Sequence, residues 1–278
     1  MSTQKLINKI LTYIFLIIAF LSFTFPFFLM IINSFKSNGE ILESPFALPK
    51  TFKFDQFAEA IKKMDFMVTF TNSFVITICS ITLILLFSSM TAYYLVRNNN
   101  KFNNIFFSVL VASMIIPFQS IMIPLMYIYG AKLNLIDKMP IPLLIIFYAG
   151  FGSSLTVFFY HGFIKSIPLE LEEAAYIDGC TRIETFFKIV FPMLGPTSMT
   201  VAILNVMWIW NDYLLPSLIL NKENLYTMPI KMKVFNGTYM NNWELLIPAL
   251  LLTILPILVV YFFAQRKIIE GVMQGSIK

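Results

Sequence analysis

Six apolar runs, each about as long as a hydrocarbon bilayer is thick, leave this chain few ways to fold. They occupy residues 11–32, 70–96, 105–129, 140–163, 191–220 and 245–264. A helix needs about 20 apolar residues to cross roughly 30 Å of hydrocarbon. Lipid offers no partner to a free backbone N–H or C=O, so only helices and closed barrels cross it. The runs are continuous and lack the alternation over about ten residues that marks a barrel strand. The expected fold class is therefore all-α and polytopic, with six transmembrane helices. Composition agrees: 58% of the 278 residues are hydrophobic and 13% charged, against about 25% charged in soluble domains.

The first run follows Lys5 and Lys9 as a signal peptide would. It is too long for an h-region and lacks a small-x-small cleavage pattern, so it reads as a retained helix. Six spans put both termini on one side. Cations are balanced between the two faces. The short 97–104 connection carries Arg97 and Lys101 without an acid, and Arg266 and Lys267 abut the last run, which leans the termini towards the cytoplasm. Cys79 sits in a span and Cys180 in a polar loop, a poor placement for a disulfide.

Segment 33–69 is the one sizeable polar excursion. Asp55 is placed to cap a short helix whose Phe57, Ala60, Ile61 and Met64 recur at helical spacing. Such a helix lies either on the bilayer or bundle surface, or against a partner on the outer side. Three parts are expected: 1–69, the first helix with this outer segment; 70–264, a five-helix core; and 265–278, a cytoplasmic tail.

The loop at 167–192 is the most informative stretch and reads as two short helices. Pro168 suits a first turn, and Glu170, Glu172 and Glu173 favour the positive end of a helix dipole. Gly179 suits a left-handed terminator, and Thr181 with Glu184 spells a capping box for the second helix. Ala174 and Ala175 let a partner surface approach the first helix closely, with Glu173 and Asp178 to fix its register. On the second helix Ile183, Phe186, Phe187 and Val190 repeat at i, i+3, i+4 and i+7, an anchor against the membrane bundle.

Glu173, Ala174, Ala175, Asp178 and Gly179, followed by Phe186, Ile189, Pro192 and Pro196, resemble the EAA loop of ABC-importer permeases. That loop forms the coupling helix seated in a groove of the cytoplasmic ATPase. Asn72 and Ser73, Ala92 and Tyr93 with Arg97, Trp210, Asn211 and Asp212 with Pro216, Thr227 with Pro229, Trp243, and Gln265 with Gly271, Gly275 and Lys278 extend the likeness to the maltose-type carbohydrate permeases, specifically the shorter, six-helix partner. The resemblance implies a bacterial cytoplasmic-membrane subunit that pairs with a second homologous permease, docks an ATPase dimer and receives its solute from an external binding protein. It assigns ATPase coupling to Glu173, Ala174, Ala175, Asp178 and Gly179, with support from Thr181, Glu184, Phe186, Phe187 and Pro192. Import of glycerol phosphate, an amino acid or a peptide is the alternative within the superfamily; a secondary transporter is the alternative outside it.

Asp212 is the one acid well inside a run, and an ionisable group at that depth is a functional candidate. Pro216 cannot donate to its carbonyl, so the helix is expected to bend there and turn Trp208, Asn211 and Asp212 towards a translocation path, or else to bury them as a structural polar cluster. Gly150, Gly152, Ser153 and Ser154 read as a close helix contact. His161 stands alone at a helix end, an interfacial position. Nothing in the chain spells a phosphate loop, a metal-ligand set or a nucleophile–base pair. No catalytic residue, metal, cofactor or nucleic-acid partner is therefore expected.

Overall fold

The structure of the protein, a computed structural model, describes residues 3–235 and 242–276. Among them every regular element is helical. Two compact units share the chain: Met1–Phe66 with Met232–Leu255, and Met67–Lys231 with Pro256–Lys278.

The first unit opens with α1 (Thr3–Asn33), followed by the short α2 (Asn38–Glu43) and α3 (Asp55–Lys63). Asp55 is the first helical residue of α3 rather than its cap, and no side chain caps that end. Ala60 and Met64 are buried as the periodicity predicts, whereas Ile61 is exposed. The turn after α1 is built around Lys36. Its side chain is fully buried, and Nζ donates to Asn33 Oδ1 at 2.9 Å and to the Ser44 carbonyl at 3.0 Å. A buried ammonium is tolerated only when its protons are satisfied in this way. Asn33 Nδ2 adds a bond to the Pro45 carbonyl, 2.9 Å. At the first turn of the last helix, the Trp243 N–H donates to Asn38 Oδ1 and the Asn38 N–H to the Glu244 carboxylate, both at 3.1 Å.

The second unit runs from α4 (Phe66–Arg97) through α5 (Lys101–Ser113), α6 (Phe118–Met126), α7 (Leu135–Lys138) and α8 (Pro140–Ile164). The polar loop holds α9 (Glu170–Ile177), α10 (Arg182–Thr185) and α11 (Phe191–Met193). Beyond it come α12 (Gly195–Asn211), α13 (Leu214–Ile219) and α14 (Met228–Lys231); α15 (Trp243–Ser276) belongs to the first unit up to Leu255 and to this one from Pro256. Of the expected tail, Ile277, Lys278 and the side chains beyond Gln265 lie outside the described residues.

Four helical stretches are long and apolar enough to cross a membrane unaided: Ile7–Asn33, Phe66–Arg97, Pro140–Ile164 and Trp243–Gln265. The other two runs are broken. Lys101–Ser113 meets Phe118–Lys132 at 97°, and Arg182–Met193 meets Gly195–Asn211 at 73°, giving six spans if each bent pair is one. Pro117 causes the first break: it has no N–H to give, and it takes an extended ψ of 136° as the residue ahead of α6. Leu194, with Gly195 and Pro196 behind it, flattens to a ψ of −3° at the second.

Two cores lie along α4, α8 and α12. One gathers Ile76, Ile84, Leu144, Tyr148, Ile209 and Leu215; the other gathers Ala92, Tyr93, Tyr160, Ile164, Val190 and Val201. The loop helices therefore belong to one end of this unit, and the α12–α13 junction to the other. His161 lies in the last turn of α8. It is buried and stacked on Phe107, ring centroids 3.8 Å apart, a neighbour that the bend after α5 brings alongside α8. Cys79 and Cys180 are both unbridged.

Candidate functional site

Two sides distinguish α9. Glu172 and Ala175, three residues apart, face inward and are buried. Leu171, Glu173, Ala174, Tyr176, Ile177 and Asp178 face out, and Ile177 is 86% exposed. Gly179 ends the helix with φ at +87°, a conformation that side chains rarely adopt, and nothing crowds it. The Cys180 N–H then reaches back to the Ala175 carbonyl at 2.9 Å.

The inward side carries a lock that the sequence reading missed. Glu172, 1% exposed, accepts from the Tyr93 hydroxyl at 2.8 Å and from Arg97 Nε at 2.7 Å. A second guanidinium nitrogen pairs with it at 2.6 Å and also bonds the Ile167 carbonyl at 3.2 Å. Both nitrogens converge on Oε1 while the Tyr93 hydroxyl takes Oε2, so each carboxylate oxygen is held and the pairing is charge-assisted. Arg182 adds its guanidinium over the rings of Tyr93 and Tyr94, at 5.9 and 5.7 Å, which joins α10 to the same end of α4.

Thr181 and Glu184 form the capping box: the Thr181 N–H donates to Glu184 at 2.9 Å, and Thr181 Oγ1 accepts from the Glu184 N–H at 3.3 Å. The Thr181 N–H and the Lys188 ammonium, 2.9 Å away, hold the Glu184 carboxyl down at about 2. Because the folded-state value is depressed, its contribution is complete above the ordinary 4.5 and fades only as pH falls towards 2.

The expected four-residue anchor of the second helix is half wrong. Phe186 and Val190 are buried, but Ile183 and Phe187 are 69% and 42% exposed. The helix also takes a π-turn at Phe186–Val190, where the Phe191 N–H bonds the Phe186 carbonyl five residues back. That extra residue shifts the register away from a 3.6 repeat. Thr185 takes an inward position instead. Pro192 follows directly, in the first turn of α11, where its missing N–H costs nothing.

The third group of candidates sits at the far end of α12, which at 17 residues and 1.5 Å each is about 25 Å long. Asp212 does not lie within a bent helix. It leaves the helical region altogether (ψ 129°), and Oδ1 accepts from the Leu214 N–H at 3.0 Å, starting α13. Pro216 falls in the first turn of that new helix, so the break precedes it. Oδ2 accepts from the Tyr148 hydroxyl at 2.9 Å, and Trp208 packs edge-on against Tyr148 at 5.4 Å. Asn211 is exposed and spends one amide proton on the Met207 carbonyl, 2.7 Å. Trp208 also borders a cavity of about 250 Å³ with Met114, Phe151, Gly152, Leu155, Leu204 and Asn205.

Asn72 and Ser73 act at this end as well. Asn72 Nδ2 donates to the Asn224 and Tyr226 carbonyls at 2.9 and 3.1 Å, and Ser73 Oγ accepts from the Met228 N–H at 2.9 Å. Among the described residues no group of three or more His, Cys, Asp or Glu is placed to hold a metal ion.

Long apolar helices, two bent pairs and an exposed pair of short helices mark the chain as a polytopic membrane protein. Residues 84–269 match the family described as binding-protein-dependent transport system inner membrane component, and the chain belongs to that family. It is 42% identical over 253 residues to the probable starch degradation products transport system permease protein AmyC of Thermoanaerobacterium thermosulfurigenes, covering 91% of each chain. It is 35% identical to the multiple sugar-binding transport system permease protein MsmG of Streptococcus mutans over the whole of both chains. A bacterial ABC transporter involved in importing the acidic polysaccharide alginate has a chain of the same fold, with a TM-score of 0.80 at 21% identity over 96% of this chain and 98% of that one.

Proposed function

We propose that this chain is one of two permease subunits of an ATP-driven importer for a sugar or oligosaccharide, and that the outer side of α9 and α10 seats in the cytoplasmic ATPase. One observation carries the coupling role: the lever is locked from behind through Glu172 and Arg97, while its front presents Ala174 and a nearly bare Ile177 to nothing. Leu171, Tyr176, Ile177 and Ile183 are exposed together on these two short helices, a concentration of apolar side chains that marks an interaction surface where a lone one would not. A push on α9 is passed to α4 through an ion pair rather than through a flexible linker. The sugar class is supported by the likeness to AmyC, a starch degradation products permease, and MsmG, a multiple sugar-binding transport permease. Membership of a binding-protein-dependent family answers the secondary-transporter alternative.

In this reading both termini are cytoplasmic, a solute-binding protein delivers from outside, and closure of the ATPase dimer draws the two levers together to turn the cavity outward. Uptake of labelled malto-oligosaccharides and ATP hydrolysis by the assembled transporter in vesicles test it. Glu173→Lys and Gly179→Pro should each abolish most uptake while the chain still inserts, since proline cannot adopt φ +87°. A cysteine replacing Ala174 should crosslink to the ATPase. Normal uptake in both variants, with no crosslink, removes the proposal.

The α12–α13 break is proposed to line the path through Trp208, Asn211 and Asp212. Asp212→Ala removes both a helix cap and the Tyr148 partner, so it should lower stability and uptake together. Asn211→Ala touches only its own helix and should lower uptake with unchanged melting. Wild-type uptake by Asn211→Ala would take the path away from this corner.

A further inference from the structure

We infer that segment 44–54 is a membrane-inserted element, its aromatic face buried in the lipid leaflet opposite the N-terminus of α1. The residues belong to the first unit, and the chain there doubles back along its own span. The Phe46 ring stacks on that of Phe25, centroids 6.2 Å apart and 13° from parallel. Phe25 is not at the helix end. It lies seven residues before Ile32, the last apolar position of the run, which at 1.5 Å per residue is about 10 Å deeper along the axis. A ring stacked on Phe25 therefore sits at the level of acyl chains, not of water.

The rest of the segment fits that depth. Phe46, Leu48, Phe52 and Phe54 are 70%, 69%, 66% and 66% exposed, a concentration of bare apolar side chains that a polar connection does not otherwise tolerate. Lys50 and Lys53 stand between them and are exposed too, placed to carry their ammonium groups up to lipid phosphates while their stems stay in the apolar layer. Aromatic rings with interleaved lysines are the composition of a membrane interface. The acids nearby are Glu40 and Glu43 on α2 and Asp55 at the start of α3; Glu40 accepts from the Lys50 backbone N–H at 2.8 Å, and the Lys50 side chain is exposed.

Nor is the placement that of a loose loop. The Lys36 ammonium and Asn33 amide clamp the Ser44 and Pro45 carbonyls to the end of α1, and Phe35 holds the rings of Phe52 and Phe54 at 5.4 and 5.3 Å. These contacts fix the two ends of the segment and aim Phe46 down the span. The inserted hairpin would act as a stop that sets how deeply α1 sits, independently of which solute the transporter carries.

Spin labels on single cysteines, Phe46→Cys and Leu48→Cys, with Glu43→Cys as the aqueous reference, test this in the assembled transporter. Cys79 and Cys180 are changed to serine and the vesicles contain phosphatidylcholine with phosphatidylglycerol. Collisional relaxation by oxygen should exceed that by a water-soluble nickel chelate several-fold at 46 and 48, with the reverse at 43. Nickel collision at 46 and 48 as high as at 43 would place the segment in water and overturn the inference. Low collision with both reagents would mean that protein covers it, and would overturn it equally.

Discussion

Arg97→Ala should destabilise the protein by about 3–5 kcal/mol and reduce solute uptake to near background, the largest single effect expected outside the lever itself. The magnitude follows from what is left behind. Glu172 is 1% exposed and keeps only the Tyr93 hydroxyl, so a carboxylate that had a guanidinium partner must stay charged and half-satisfied or bind a proton. Glu172→Ala should cost a similar amount by stranding Arg97, which is 15% exposed and has the Ile167 carbonyl as its other partner. The double variant Arg97→Met with Glu172→Leu separates two meanings of the pair. Apolar replacements of similar volume recover most of the stability of a buried ion pair, so melting in detergent should return towards wild type. Uptake should not, because the ion pair that holds α9 to α4 is gone. A double variant that regains melting and uptake together would show that the pair is only a filler.

How much of this was open to reading in the residues depends on whether local chemistry decided the outcome. Thr181 with Glu184 and Gly179 are decided within a few positions, by a cap and by a φ that glycine permits, and both appear where the pattern predicts them. The six apolar runs are equally legible, because lipid imposes one requirement on every backbone group. What misled was continuity. The 105–129 run hides Pro117, and the 191–220 run hides Gly195, Pro196 and the Asp212 cap, yet hydropathy averages across all of them. Proline and glycine in a span are common enough that their bending effect depends on the neighbours that accept the freed carbonyls.

The π-turn at Phe186–Val190 was hidden for a different reason. Nothing in the spacing of Ile183, Phe186, Phe187 and Val190 departs from an ordinary helix, and only tertiary packing selects the extra residue. Glu172 was readable in principle. It shares a helix face with Ala175 and opposes Glu173 and Ala174, so one of three neighbouring acids had to point towards the bundle. Its partner, Arg97, lies 75 positions earlier, a pairing that needs the fold.

Gly152→Leu is expected to separate α8 from α12, with a cost of about 2–5 kcal/mol and loss of most uptake. A Cβ on Gly152 would lie 2.6 Å from Ile84 Cδ1 and 2.7 Å from Asn205 Oδ1, closer than real Cβ atoms come. Ile84 presents the end of a side chain, which could swing away, but it is fully buried in the core of this unit and has little space to do so. Asn205 has less freedom still. Its amide donates to Thr156 Oγ1 at 3.2 Å and to the Val201 carbonyl at 2.8 Å, while Thr156 itself donates to the Gly152 carbonyl at 2.9 Å. Displacing Asn205 thus breaks the Asn205–Thr156 bond that joins the two helices and leaves buried polar atoms short of partners. Gly152 and Asn205 also line the cavity beside Trp208, so a leucine there fills space proposed to belong to the path. Gly150→Leu is the control, since nothing lies within 4 Å of its added Cβ, and it should melt and transport within about 0.5 kcal/mol of wild type. Equal behaviour of the two leucine variants in melting and uptake would mean that α8 and α12 are not in contact through Gly152 in the working transporter.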